Sequence, residues 1–209
     1  MNRIETQLDR PAIGRVEEQR KRLILQAAAD CVLEDGVANL TLRKVARRAN
    51  VTTGMITYYF ENKDELLLAT LDETALRLRE RLGGASDGLE GRERVRRIFE
   101  FALTPRDEGQ VNWPFWLECA ATAASRPELR RYHAGRMVNA RVDQANIARQ
   151  MIAAEQLSPD VDPDLFADLI VAVFQGLGVD VTLDEERMPP ERAMRICDFL
   201  LDALASWRR

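Results

Sequence analysis

The segment TLRKVARRANVTTGMITYYFENKDELL, residues 41–67, changes character twice within a few turns of chain. Thr41 suits the N-cap of a short helix over 42–49, with Leu42, Val45, Ala46 and Ala49 inward and Arg43, Lys44, Arg47 and Arg48 outward. Asn50-Val51 makes a turn, and Thr52 caps a second, very short helix over about 53–59. That second helix is rich in Thr, Gly and Tyr, which are middling to poor helix formers, so its composition needs a reason other than helix stability. Asn62 and Glu65 are spaced as a capping box and open a longer helix from 63 to about 82.

Two short helices across a tight turn suit a helix-turn-helix, whose second helix enters the DNA major groove. The odd composition then becomes intelligible. Thr52 leaves helix-end N–H groups facing a phosphate, and Gly54 lets backbone approach backbone closely. Thr53 and Thr57 are short enough to meet base edges or a thymine methyl. Tyr58 and Tyr59 can donate to phosphate oxygens, Phe60 anchors the C-terminal end in the core, and Lys63 is placed to reach the DNA backbone. The alternative is a core-packing hairpin with tyrosine hydroxyls in water.

The charge distribution bears on the same choice. The 209-residue chain has a net charge of −4, yet residues 1–60 are +3 and residues 61–209 are −7. Residues 40–63 alone are +4, from Arg43, Lys44, Arg47, Arg48 and Lys63 against Glu61. Local positive charge is what a phosphate surface needs, although a solvated helix face has the same signature.

Elsewhere apolar residues recur at three- and four-residue steps, and no alternating strand pattern is evident. The spacing predicts nine helices and an all-α fold. The first covers about 17–35, with Leu23, Ile24, Ala27, Ala28, Cys31 and Val32 buried and Gly36 just past its end. After the break GGASDGLEG, 83–91, come helices 92–104, 113–124, 127–154, 163–182 and 190–207, with TPRDEG as a loop between the first two. Ser125 with Glu128 suggests another capping box, and Asp162 with Pro163 an N-cap followed by proline at the first helical position. The organisation expected is a polar tail over 1–15, a DNA-binding domain over 16–62 and a second helical domain over 63–209.

Other function classes find little support. The termini and apolar runs suggest neither a signal peptide nor a bilayer-spanning stretch of roughly 20 residues, so a cytoplasmic protein without membrane attachment is expected. Cys31, Cys119 and Cys197 are far apart and read as buried thiols, and with His133 as the single histidine no metal or cofactor is expected. No phosphate-binding loop, zinc-protease motif or activated Ser or Cys arrangement is found, which argues against an enzyme.

TLRKVARRANVTTGMITYYFENKDELLLATLD resembles the DNA-binding domain of the TetR family of bacterial transcriptional repressors, at most positions of the pattern T-x-x-x-I-A-x-x-A-G-V-S-x-G-x-x-Y-x-Y-F-x-x-K-x-x-L-L. The similarity covers roughly residues 20–72. Asn50 stands where a turn glycine is usual, Thr52 replaces Ser, and Thr57 occupies a position where Tyr is common. The resemblance implies a dimeric, double-stranded-DNA-binding protein with a palindromic operator and a small-molecule inducer, ligand binding and dimerisation falling to the domain over 63–209. It implies phosphate contacts from Thr41, Thr52, Tyr58, Tyr59 and Lys63, and base-edge positions for Arg43, Thr53, Gly54 and Thr57. WPFWLECAATAASRPELRRYHAGR and FQGLGVDVTLD further resemble the BetI-like branch.

Two surfaces are expected in the C-terminal part. Phe166, Ile170, Phe174 and Leu177 with Ile196, Phe199, Leu200, Ala203 and Trp207 exceed what one helical layer hides, and a four-helix packing across a twofold axis would bury them. Phe99, Trp113, Trp116, Cys119, Tyr132, His133, Met137 and Gln175 would line an apolar ligand pocket with a few polar points. The helix from Lys63 would then carry the ligand signal to Tyr58 and Tyr59. The alternative is a DNA-binding protein of this fold that recruits protein partners, in nucleoid or division control. A mainly activating regulator is a further variant.

Overall fold

A computed structural model of the chain describes residues 10–104 and 111–208. Most of the expected loop TPRDEG and all of the expected tail up to residue 9 lie outside these. Among the described residues there are nine α-helices and no strand: α1 (Arg10–Asp35), α2 (Leu42–Arg48), α3 (Thr53–Tyr59), α4 (Lys63–Ala85), α5 (Gly91–Leu103), α6 (Trp113–Ala123), α7 (Pro127–Ala153), α8 (Pro163–Leu183) and α9 (Pro190–Ala205). The chain divides into two compact units, Met1–Ala75 and Leu76–Arg209. The division falls inside α4 rather than at its start, because Leu66, Leu67, Thr70 and Leu71 are buried in the first turns of that helix. α1 likewise starts at Arg10, ahead of the expected end of the polar tail.

In the first unit α2 packs on both α1 and α3. Ile24, Ala28, Val32, Val45, Ile56 and Phe60 are all but fully buried. Leu23 is 59% exposed, against expectation, and Leu25 is buried in its place. Gly36 sits at φ 77 with its N–H on the Val32 carbonyl, closing α1 as its position suggests.

In the second unit α8 packs chiefly on α7 and also meets α5, α6 and α9. α8 is long and apolar enough to cross a bilayer by length and composition, contrary to the sequence expectation. Its inner face is instead covered by helices: Phe166, Ala167, Ile170, Val171 and Leu177 are buried. Three of the residues expected at a dimer interface, Phe166, Ile170 and Leu177, therefore belong to the protomer's own core. α8 is apolar all round, so its pattern could not tell the inward stripe from the outward one. The outward stripe is Leu165, Leu169, Ala172 and Gly176, continued by Leu183. Phe174 is also turned inward, edge-on to Phe99 at 5.3 Å between ring centroids. On α9, Phe199 is 75% exposed and Ala203 is exposed, while Ile196 and Leu200 are half-buried; exposed Trp207 lies just past the helix end.

Helix ends follow local chemistry in most places. Asp162 accepts from the N–H groups of Asp164 and Leu165 with Pro163 opening α8. Asn62 accepts from the N–H groups of Asp64 and Glu65, while Glu65 reaches back to the N–H of Glu61, one residue earlier than the standard capping box. Ser125 does not cap α7: its hydroxyl donates to the Thr122 carbonyl, and Arg126 precedes the helix without a side-chain cap. The three cysteines are free and buried.

Candidate nucleic-acid interface and effector cluster

The turn between α2 and α3 is built from two backbone bonds and one left-handed residue. Asn50 has φ 54, its N–H reaches the Arg47 carbonyl, and the Val51 N–H reaches the Ala46 carbonyl. These are the two bonds of a Schellman closure, with Asn in the place glycine usually takes. The replacement for the turn glycine thus keeps the geometry. Thr41 and Thr52 each accept a bond at 3.2 Å, from the N–H groups of Lys44 and Met55, so both helices start on a side-chain cap.

α3 is pinned by Ile56 and Phe60, with Met55 and Tyr59 half-buried beside them. Thr53, Gly54, Thr57 and Tyr58 are exposed, Tyr58 to 73%, whereas Tyr59 is half-buried and edge-on to Tyr58 at 5.0 Å. The Thr57 hydroxyl donates to the Gly54 carbonyl, so the residue offers outward its methyl group and the lone pairs of its oxygen. Gly54 is not required by the protein's own packing: an added Cβ would meet only the Thr52 Oγ1, at 3.8 Å.

The four cations of α2 separate into two pairs. Lys44 bonds Asp35 at 2.9 Å, and Arg48 bonds both Asp30 and Glu34, clamping α2 to α1. Arg43 and Arg47 are exposed, with no such acidic partner among the described residues. Lys63 is half-buried and its Nζ donates to the Ala38 carbonyl at 2.9 Å, tying the start of α4 to the segment between α1 and α2.

The residues expected around a ligand fall into three groups in the second unit. Phe99 and Trp113 both pack on Phe174, edge-on and tilted respectively, with the Trp113 Nε1 donating to the Ala102 carbonyl at 2.9 Å. The ring of Trp113 lies flat against Gly178, where any side chain would collide with it. Met137 and Gln175 join α7 to α8, the amide donating to the thioether sulfur. Trp116, Cys119, Tyr132 and His133 gather around a residue that the sequence reading did not single out, Arg136.

The Arg136 guanidinium lies 4.0 Å above the centroid of the Trp116 ring. Its Nε is buried without a hydrogen-bond partner. Burial pulls its pKa below the ordinary arginine value, and the neighbours that act against this are the Tyr132 phenol and the Cys119 thiol rather than a carboxylate. A cation–π contact contributes about 2 kcal/mol when desolvated, less than the several that a buried ion typically costs. Burial pushes the Cys119 thiol up to about 12, with Glu118 adding to the rise and Arg136 opposing it. Burial also lowers His133, and the nearby charges of Arg136 and Arg141 lower it further. The sequence signal for Arg136 was present: it sits four residues from Tyr132, on the same helical face.

A capped α2, a left-handed turn and an α3 that keeps only its anchors buried define a helix-turn-helix DNA-binding protein. Residues 24–70 match the family model for bacterial regulatory proteins of the tetR family, and residues 91–206 match that for the C-terminal part of BetI-type transcriptional repressors. The chain belongs to the TetR family of transcriptional regulators, with a BetI-type C-terminal part. It is 30% identical over 206 residues to the HTH-type transcriptional regulator BetI of Burkholderia mallei, covering 95% of this chain and 99% of that one. Among solved structures it is similar to a TetR-family regulator from Rhodococcus sp., with TM-score 0.80, 26% identity, 90% of this chain and 100% of that one covered. A regulator from Saccharomonospora viridis in complex with choline has the same fold, with TM-score 0.77, 19% identity and 88% and 96% covered. The relatives and the family are regulators, not enzymes.

Proposed function

We infer that the protein is a homodimeric cytoplasmic repressor that binds a palindromic operator through α3 and leaves it when a small molecule binds the second unit. The observation that carries the DNA part is the exposed face of α3, small residues at Thr53, Gly54 and Thr57 beside Tyr58, held by buried Ile56 and Phe60. Gly54, which the fold itself does not need, keeps that face low enough for bases to come close. In this reading Arg43, Thr53, Gly54 and Thr57 lie at base edges. Thr41, Thr52, Tyr58 and Tyr59 serve phosphates, and so does Lys63, its ammonium shared with Ala38.

The outward stripe of α8, with Phe199 and Ala203 of α9, supports dimerisation. Hiding a large apolar side chain such as Phe199 contributes roughly 1.5–3 kcal/mol. A twofold dimer places its half-sites about 34–36 Å apart or at a longer pitch-matched spacing. The choline held by a protein of the same fold supports the small-molecule part.

The test is selection of bound duplexes from a random pool with the full chain, followed by gel-shift titration at several salt concentrations. A palindrome is expected. Arg43→Ala should relax preference at one base position, costing about 1–3 kcal/mol of discrimination. Tyr58→Phe should weaken all sequences alike. Recovery of no enriched sequence would refute the reading.

A further inference from the structure

We propose that Arg136 is the recognition point for an anionic effector, a small carboxylate with an apolar body, in the second unit. The inference deepens the inducer reading above and rests on it for the link to DNA, but the site itself stands on separate observations. The guanidinium sits on the face of Trp116 with its Nε buried and unbonded, and among the described residues the neighbours that favour its charge are a phenol and a thiol, not a carboxylate. A buried cation normally has an anion or a full set of hydrogen-bond acceptors. Here the side chain is held in place by an aromatic ring, which fixes its plane but accepts none of its hydrogen bonds in line.

The surroundings indicate what completes it. Cys119 stays a neutral thiol, its pKa pushed up to about 12, and so supplies no counter-charge. His133 is disfavoured as a cation first by burial and then by the charges of Arg136 and Arg141, so it supplies no counter-charge either. Arg141 already has its partner in Asp168. Arg136 has no carboxylate partner among the described residues, so an incoming anion meets a charge that no acid of the described chain answers. A guanidinium offers two parallel N–H groups that match the two oxygens of a carboxylate. The apolar body would lie against Trp116, beside Phe115, whose ring is edge-on to it at 5.3 Å. A quaternary ammonium would face like charge at this ring, because the cation-binding face of Trp116 is already occupied by Arg136.

The experiment uses the full-length protein and a defined probe set: octanoate and phenylacetate, the matching uncharged octanol and phenylethanol, choline, and inorganic phosphate. Binding is read by calorimetry and by the thermal midpoint, and operator release by gel shift. Octanoate or phenylacetate should bind, and each should bind at least about tenfold more tightly than its alcohol, as a charge-assisted bond implies. Arg136→Met should abolish that preference, bringing carboxylate and alcohol binding level with each other, and Arg136→Lys should keep part of it. Arg136→Met should also leave the ligand-free protein folded, since it removes an unpaired charge, and Arg136→Lys covers the case in which it does not. Carboxylates that do not bind, that bind no better than alcohols or choline, or that bind Arg136→Met unchanged would overturn the inference, as would a preference for phosphate. Arg136-dependent carboxylate binding without operator release would uphold the site and refute induction. Operator release by choline or an alcohol alone would do the reverse.

Discussion

Replacing Gly178 by alanine should destabilise the protein, although alanine is the better helix former. A Cβ at 178 would come within 3.0 Å of three atoms of the Trp113 ring, a separation that real Cβ atoms essentially never show. The ring has no easy retreat: its Nε1 is bonded to the Ala102 carbonyl at 2.9 Å and it packs on Phe174 at 5.3 Å. Overpacking costs typically about 1–3 kcal/mol, the bond to Ala102 about 0.5–1.5, and the aromatic pair a similar amount. The helix-propensity gain of Ala over Gly returns about 0.8–1.0 kcal/mol. The balance is a loss of about 1–5 kcal/mol, which lowers the midpoint by roughly 2–20 °C in a chain of this size. Gly135, in the middle of α7, is the control, because nothing lies within 4 Å of its added Cβ. Gly135→Ala should gain about 0.5–1 kcal/mol instead. Thermal unfolding followed by tryptophan emission reads both. Equal shifts of the same sign in the two variants would show that the close approach of Trp113 to Gly178 does not govern stability.

The outward stripe of α8 and α9 makes a distinct prediction: Leu169→Glu with Phe199→Glu should give a folded monomer by sedimentation, whereas Phe166→Glu should unfold the protein. A folded dimer from the double variant would place the interface elsewhere. His133 has its folded pKa below the ordinary 6.5, so protons bind the unfolded chain more readily. Its contribution to stability is present above pH 6.5 and declines as pH falls below that value. His133→Asn should accordingly flatten part of the fall in thermal midpoint between about pH 6.5 and 5, and an unchanged slope would contradict the burial of the ring. Thr52→Ala removes the side-chain cap of α3 and should cost about 1 kcal/mol together with operator affinity, while Thr52→Ser should restore both, as measured by melting and gel shift.

What the sequence made legible was mostly local. The caps at Thr41, Thr52 and Asp162, the left-handed Asn50 and the end of α1 at Gly36 depend on residues within one turn, and the chain displays them. Ser125 misled because its hydroxyl has a nearer acceptor in Thr122, and spacing alone cannot weigh the two. Contacts across long loops were hidden. Nothing in RKVARR tells Lys44 and Arg48, which are spent on Asp35, Asp30 and Glu34, from Arg43 and Arg47, which are not. The two faces of α8 were hidden for another reason. Leu165 and Phe166 are equally apolar, and only the helices packed on one side decide that the first is outside and the second inside. Arg136 escaped notice because a lone arginine reads as surface, and its isolation from carboxylates is a three-dimensional property.

The buried cysteines make the chain its own stopwatch. Cys119 and Cys197 are held at about 12, so at pH 8 roughly one thiol in ten thousand is the reactive thiolate even before access is considered. Burial raises Cys31 as well. Alkylation therefore counts the moments when a unit opens, and Cys31 reports on one unit while Cys119 and Cys197 report on the other. Mass tagging in a single tube, with and without operator DNA or a carboxylate, would time the two openings separately without any engineered label.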